Sequence, residues 1–204
     1  MLKIGITGGI GSGKTTVCRI FEALGIPVFN ADQVAKSIMN TDAALMASIK
    51  EIFGKQAYFK NGELNRKYLA SQVFSNQKAL NVLNSLVHPA AIQAFEDWYL
   101  EQNNGPYVLK EAAILFESGS YKNCDFNILI LSPETLRIRR VMERDEVDEE
   151  SVRARINKQM AEEEKEKLAD FTIINDEKKA LIPQVLKLNE HFITISRSKA
   201  VTNE

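Results

Sequence analysis

The sequence predicts an α/β sandwich in which short buried strands, five in all, alternate with helices around a parallel sheet. Three observations carry that expectation. A glycine-rich turn from Gly8 to Gly13 separates an apolar run from a helical one. The apolar runs lack strict alternation, as expected of strands covered on both faces. Stretches of helical periodicity lie between them, which is the pattern of helices packed on a parallel sheet.

The elements follow in order. Leu2 to Thr7 reads as the first strand, and Thr15 to Leu24 places Val17, Ile20, Phe21 and Leu24 on one helical face. Gly25 then stands where a helix C-cap belongs, and Ile26 to Asn30 reads as a second strand reached by a right-handed crossover. Asp32 to Leu100 is mostly helical, with a turn at Asn61-Gly62 and a helix expected to start at His88-Pro89. Tyr107 to Glu117, Asp125 to Leu131 and Phe171 to Asn175 supply three more strands. The charged stretch Pro133 to Ala169 is helical, and the tail from Ser196 is expected to fray. One domain results, with a core at about 1–31, 105–136 and 168–195, a helical region at about 32–104 and an arginine-bearing segment at about 137–167.

Composition narrows the class. The 204 residues are 45% hydrophobic and 26% charged, an ordinary globular balance, and the net charge of −1 argues against wholesale binding to nucleic acid or an anionic membrane. Two cysteines, Cys18 and Cys124, are too few for a disulfide framework, fit a reducing compartment, and are expected to be small buried apolar residues. The N-terminus lacks the pattern of a secretory signal, and the apolar runs are too short for a membrane span. A cytoplasmic protein is expected.

Gly8, four residues, then Gly13-Lys14-Thr15 matches the phosphate-binding loop G-x-x-x-x-G-K-[ST], with a strand before it and a helix after it. Glycines let successive backbone N–H groups turn towards phosphate oxygens, and the helix start adds unpaired N–H groups and a positive dipole end. Lys14 would reach the β- and γ-phosphates of a nucleotide triphosphate, the Thr15 hydroxyl would ligate Mg²⁺, Gly11 and Ser12 would line the loop, and Thr16 would sit beside the first phosphates. A GTPase is disfavoured, because "NKQM" at Asn157 lacks the Asp of a guanine reader and no Asp has Gly three positions later. A small kinase remains. It needs an acceptor-side carboxylate, Mg²⁺ and mobile basic residues.

Asp32, just past the second strand, either accepts the proton of a substrate hydroxyl or caps a helix beginning at Gln33. Glu111, at or near the end of the third strand, either holds the hydration shell of Mg²⁺ or is a solvated strand-end residue. Arg137, Arg140 and Arg144 recur at i, i+3 and i+7 with Arg139 nearby, forming either a solvated face or a lid over phosphate. "AEEEKEKLA" reads as a solvated helix with pairs such as Glu163 and Lys167, His88 before Pro89 reads as structural, and Phe95 and Trp98 read as core.

Taken together, the chain resembles the dephospho-coenzyme A kinase family from Leu2 to about Phe192. The resemblance lies in "GITGGIGSGKTT", "FNADQVAK", "LNRKYLASQVF", "LVHPAAI", "AAILFE" and "RRVMERD" followed by "ARINKQM". It implies a P-loop kinase fold with a five-stranded parallel sheet flanked by helices, a helical acceptor-binding sub-domain and a lid. It further implies transfer of the ATP γ-phosphoryl group to the ribose 3′-hydroxyl of dephospho-coenzyme A. By position, Asp32 resembles the general base, Arg66 and His88 lie in the acceptor region with Glu111, Arg140 and Arg144 belong to the lid, and Asn175 falls on the adenine side. Four departures stand out. Asn30 precedes Asp32 where the family usually has Asp, Ala113 and Glu111 replace a common Pro and Asp, and Asn175-Asp176-Glu177 replaces N-N-G, losing a glycine suited to positive φ. A nucleoside or nucleotide kinase on the same fold, or a nucleotide-dependent binding protein, are the alternatives. A monomer or small homo-oligomer with no nucleic-acid or membrane partner is expected.

Overall fold

The computed structural model describes residues 1–74, 76–102 and 105–202. The expected end of the helical region at 104 and the last two residues of the tail lie outside them. Contacts group the chain into two units, Met1–Asn30 resuming at Glu101, and Ala31–Leu100.

In the first unit, β1 (Leu2–Gly8), β2 (Val28–Asn30), β3 (Tyr107–Glu111), β4 (Phe126–Leu131) and β5 (Phe171–Ile174) form one sheet in the order β2-β3-β1-β4-β5. Every pairing is parallel. β1 is central and flanked by strands that come later in the chain, so the strand order reverses around it. That is where an open α/β sheet binds ligands, beyond the carboxyl ends of its strands. On one sheet face Leu2, Ile4 and Ile6 join Tyr107, Leu109, Ile128 and Ile130 against helices α1 (Lys14–Ala23) and α9 (Leu181–Thr202). Phe21 and Phe192 both meet the Tyr107 ring edge-on, at 6.4 and 5.3 Å between centroids. Gly25, with φ 82°, ends the first helix where the sequence places a C-cap.

The second unit is helical: α2 (Ala31–Thr41), α3 (Ala43–Phe53), α4 (Arg66–Val73) and α5 (Gln77–Glu101, of which residues to Leu100 belong here). Its own core gathers Leu45, Ile49, Leu64, Leu69 and Val87. Asp42 and Asn65 cap α3 and α4 by accepting from the Leu45 and Tyr68 amides, at 2.9 and 3.1 Å.

The rest of the first unit comprises α6 (Glu134–Asp145), α7 (Glu149–Ile156) and α8 (Glu162–Leu168). Ile138, Val141 and Val152 form a small core of their own, with Ile10 of the glycine loop packed against it.

Several expectations change. Pro89 lies inside α5 rather than at a helix start. A proline removes a single N–H from the ladder, and Val87 and Phe95 are buried on either side of it, so packing carries the helix across. β3 stops at Glu111 and the chain turns through 113–119, so the apolar run "AAILF" is loop. α9 continues helical to Thr202 where fraying from Ser196 was expected. Cys18 is buried as expected, while Cys124 is only partly so.

Candidate active site

The strand ends of the first unit deliver the site. Gly8 ends β1, Asn30 ends β2 and Glu111 ends β3, while Ser132 and Asn175 directly follow β4 and β5. From Gly8 the loop runs into α1 through Gly13, which has φ 91° and ψ 26°. No side chain caps this helix start, as suits an end whose N–H groups serve a ligand. Lys14 Nζ donates to the Gly8 carbonyl at 2.9 Å, so its ammonium lies along the loop. Ser12 Oγ is buried, with no hydrogen-bond partner among the described residues. Thr15 and Thr16 are exposed in the first turn of α1.

Other segments brace the loop. Asn175 Nδ2 donates to the Ser12 carbonyl at 2.7 Å, and a Cβ on Gly13 would collide with that amide group. The Ile10 amide donates to Gln159 Oε1 at 2.9 Å. A Cβ on Gly9 would overlap the Arg137 guanidinium. Gly9 is thus favoured by close approach alone, and Gly13 by close approach as well as by its positive φ.

The arginine face of α6 divides by environment. Arg137 is 4% exposed and ion-paired with Glu162 at 3.0 Å. Burial, ahead of the attraction of Arg137, holds the Glu162 carboxyl above its usual range. Arg140 donates from Nη1 to Ser132 Oγ at 3.1 Å and to the Gly11 carbonyl at 3.4 Å, which places it beside the loop. Arg144 turns to Asp145, which Arg155 also contacts at 2.7 Å. These bonds, led by Arg144, hold the Asp145 carboxyl down at about 2. The face is therefore neither a plain solvated stripe nor a uniform lid.

α8 also departs from the expected solvated helix. Lys165 is 1% exposed and pairs with Glu117 Oε1 at 3.2 Å, and the same oxygen accepts from the Met160 amide. A cleft of about 710 Å³ lies between α8 and the carboxyl ends of β4 and β5, with Ser132, Arg137, Gln159, Glu162 and Asp176 among its walls. Glu111 is 7% exposed and accepts from Asn30 Nδ2 at 2.8 Å, which removes the solvated reading of that residue. Its charge and burial together hold the Cys18 thiol well above its usual range, burial being the larger cause, so Cys18 is an inert core residue.

In the second unit Asp32 lies within the first turn of α2, since that helix begins at Ala31, and the capping reading with a start at Gln33 gives way. A carboxylate there gains from the positive end of the helix dipole. Arg66 is exposed as the first residue of α4, after its cap Asn65. His88 is half-buried in mid α5, and burial lowers its pKa, so it is uncharged at neutral pH.

Sequence reasoning named Arg137 only as one of a row, and passed over Gln159, Glu162 and Glu177. Gln159 was within reach, because it lies in the "ARINKQM" stretch that carries the resemblance. Glu177 was marked only as a lost glycine.

The residues suit a polyphosphate with its cation. The glycine cradle, the buried orphan hydroxyl of Ser12 and the Lys14 ammonium fit phosphate oxygens. An exposed hydroxyl at Thr15 fits Mg²⁺, which takes few protein ligands when phosphates supply the others. Among the described residues no group of three or more His, Cys, Asp or Glu is placed to hold a metal by itself.

Comparison with known proteins agrees. The family profile described as dephospho-CoA kinase matches residues 2–180. A Bacteroides fragilis dephospho-CoA kinase is 37% identical over 187 residues, covering 92% of this chain and 91% of that protein. Its Salinibacter ruber counterpart is 42% identical over 178 residues, covering 86% and 89%. Among solved structures, dephospho-CoA kinase from Campylobacter jejuni superposes with a TM-score of 0.69 at 30% identity, covering 97% of this chain and 98% of that one. A Thermus thermophilus protein superposes at 0.78 with 34% identity, covering 92% and 95%. With a match that spans the glycine loop, both units and β5, the chain belongs to the dephospho-CoA kinase family.

Proposed function

We infer that the chain transfers the γ-phosphoryl group of ATP to the ribose 3′-hydroxyl of dephospho-coenzyme A, giving coenzyme A and ADP, the last step of coenzyme A synthesis. The observation that carries this reading is the braced loop, with Lys14 along it and Arg140 beside it. Phosphoryl transfer requires little covalent chemistry from the protein, and mostly needs its charges neutralised and its reactants aligned. Gly8, Gly11, Ser12, Gly13 and Thr16 line the triphosphate, and Lys14 offsets the charge of its outer phosphates. Arg140 adds a second cation beside the loop, and Arg144 on the same helix, held by Asp145, would have to leave that carboxylate to join it. Mg²⁺, when bound through Thr15 and the phosphates, would neutralise charge on the β- and γ-oxygens. Glu111, buried at the β3 end with its carboxylate oriented by Asn30, would hold the hydration shell of that cation. Asp32 accepts the proton of the 3′-hydroxyl as the new P–O bond forms. To Arg66 and uncharged His88 we assign acceptor binding. Asn175 serves the nucleotide by holding the Ser12 carbonyl and so the shape of the loop. The setting we propose is cytoplasmic, with a small-molecule acceptor. Among the described residues no helix is long and apolar enough to cross a membrane.

The test is ADP release with Mg-ATP, with and without dephospho-coenzyme A. Strong stimulation by the acceptor is expected, and a rate equal to that with ATP alone would overturn the reading. Nucleoside monophosphates run in parallel should give no stimulation.

A further inference from the structure

Among the described residues two positions other than glycine take positive φ, Glu146 at 53° and Glu177 at 62°. Glu146 ends α6, a common place for a left-handed residue. Glu177 lies in the loop after β5, where no helix end asks for that conformation. A side chain with a Cβ is sterically disfavoured there, so the surroundings must hold it. Two guanidinium groups of α6 do so. Arg139 Nη2 donates to both carboxylate oxygens at 2.8 Å, and Arg140 Nη2 donates to Oε1 at 3.1 Å. Arg140 is thereby gripped from three segments: Glu177 on one nitrogen, the Gly11 carbonyl and Ser132 Oγ on the other.

We propose that Glu177 is a positioning residue, which fixes the Arg140 guanidinium beside the phosphate loop. An arginine has a long flexible stem, and ordering it in advance removes that entropy cost from nucleotide binding. Because the carboxylate is shared with Arg139, the three side chains together keep a net positive charge, and the attraction for polyphosphate survives. The Glu177 carboxyl is held below its usual range by Arg139 first and Arg140 second, so the clasp is fully charged at neutral pH. The proposal rests on Arg140 serving the phosphates, as inferred above.

Glu177→Gln keeps the shape and removes the charge, while Glu177→Gly also frees the backbone and so is expected to fold. Each should lower kcat/KM for ATP by about fivefold to tenfold, on the scale of one misplaced charged hydrogen bond, and leave KM for dephospho-coenzyme A within about twofold. In an Arg140→Ala background the same substitutions should have less than about a twofold effect, because residues that act as one unit are not additive. Undiminished kcat/KM in either single variant, or an equal further loss in the Arg140→Ala background, overturns the proposal. If Arg140→Ala alone leaves kcat/KM for ATP unchanged, the role given to Arg140 fails and Glu177 falls with it. If Arg140→Ala is impaired and the Glu177 variants are not, only the positioning role fails.

Discussion

Lys14 reaches back along the loop to the Gly8 carbonyl, 2.9 Å away, and so holds its ammonium along the loop rather than out in water. A bound triphosphate would offer that ammonium stronger, charged acceptors than a carbonyl, and the exchange favours binding. For Asp32 the proposed duty is different. Removing its carboxylate by Asp32→Ala should lower kcat by about 10² or more, the usual worth of a positioned base. ATP affinity should stay within about twofold, because phosphate binding is built from the loop. Steady-state kinetics together with direct measurement of the ATP dissociation constant separate the two quantities. A parallel loss of ATP binding would reassign Asp32 to the metal. Gly9 and Gly13 differ at this scale: the motif asks for glycine at 13 and leaves 9 open, while Arg137 gives a steric reason for glycine at 9 and Asn175 a second one at 13, both visible only when distant segments are brought together.

Among the elements, α8 has a composition that belies its surroundings. Seven residues reading Glu-Glu-Glu-Lys-Glu-Lys-Leu suggest a helix bathed in solvent, yet Lys165 is 1% exposed against Glu117 and Glu162 meets Arg137. The two pairs bind α8 to the loop after β3 and to α6. Breaking a buried pair by deleting one partner leaves the other charge poorly compensated. Lys165→Ala should therefore destabilise by about 2–4 kcal/mol, somewhat discounted because Glu117 keeps partial access to water. For a chain of this size that is a fall in Tm of roughly 4–16 °C. Lys165→Met combined with Glu117→Gln, which removes both charges and keeps volume, should recover much of the loss. Thermal denaturation followed by circular dichroism reads both, and a drop below about 1 °C for Lys165→Ala would show the pair to be idle. α5 makes a related point. Its Pro89 suggests a boundary by local preference, and burial of Val87 and Phe95 carries the helix through it.

For the whole molecule, ligand binding and stability are one equilibrium. Mg-ATP at a hundred times its dissociation constant should stabilise the folded chain by about 2.7 kcal/mol, a rise in Tm of roughly 5–10 °C. Differential scanning fluorimetry with Mg-ATP checks this, and Lys14→Ala should abolish most of the shift if the loop is where the nucleotide binds. The strand-helix alternation and the glycine loop were legible from the residues because both are local: buried runs, helical periodicity and an eight-residue pattern need no distant partner. The same holds for Gly25, whose left-handed backbone follows from its place after a helix. Strand order was not local. The sequence could not order β3 and β4 on either side of β1, because that depends on which apolar edges meet across the fold. Nor could it sort the α6 arginines, which the spacing puts on one helical face and whose fates differ. Arg137 is buried against Glu162, Arg140 is pinned to the loop, and Arg144 is turned to Asp145. By itself, then, the chain determined the sheet-and-helix class, the phosphate loop and the kind of reaction. Tertiary structure alone decided which charges are buried, which arginine serves the loop, and why Glu177 holds a glycine's conformation, since each depends on partners far away in sequence.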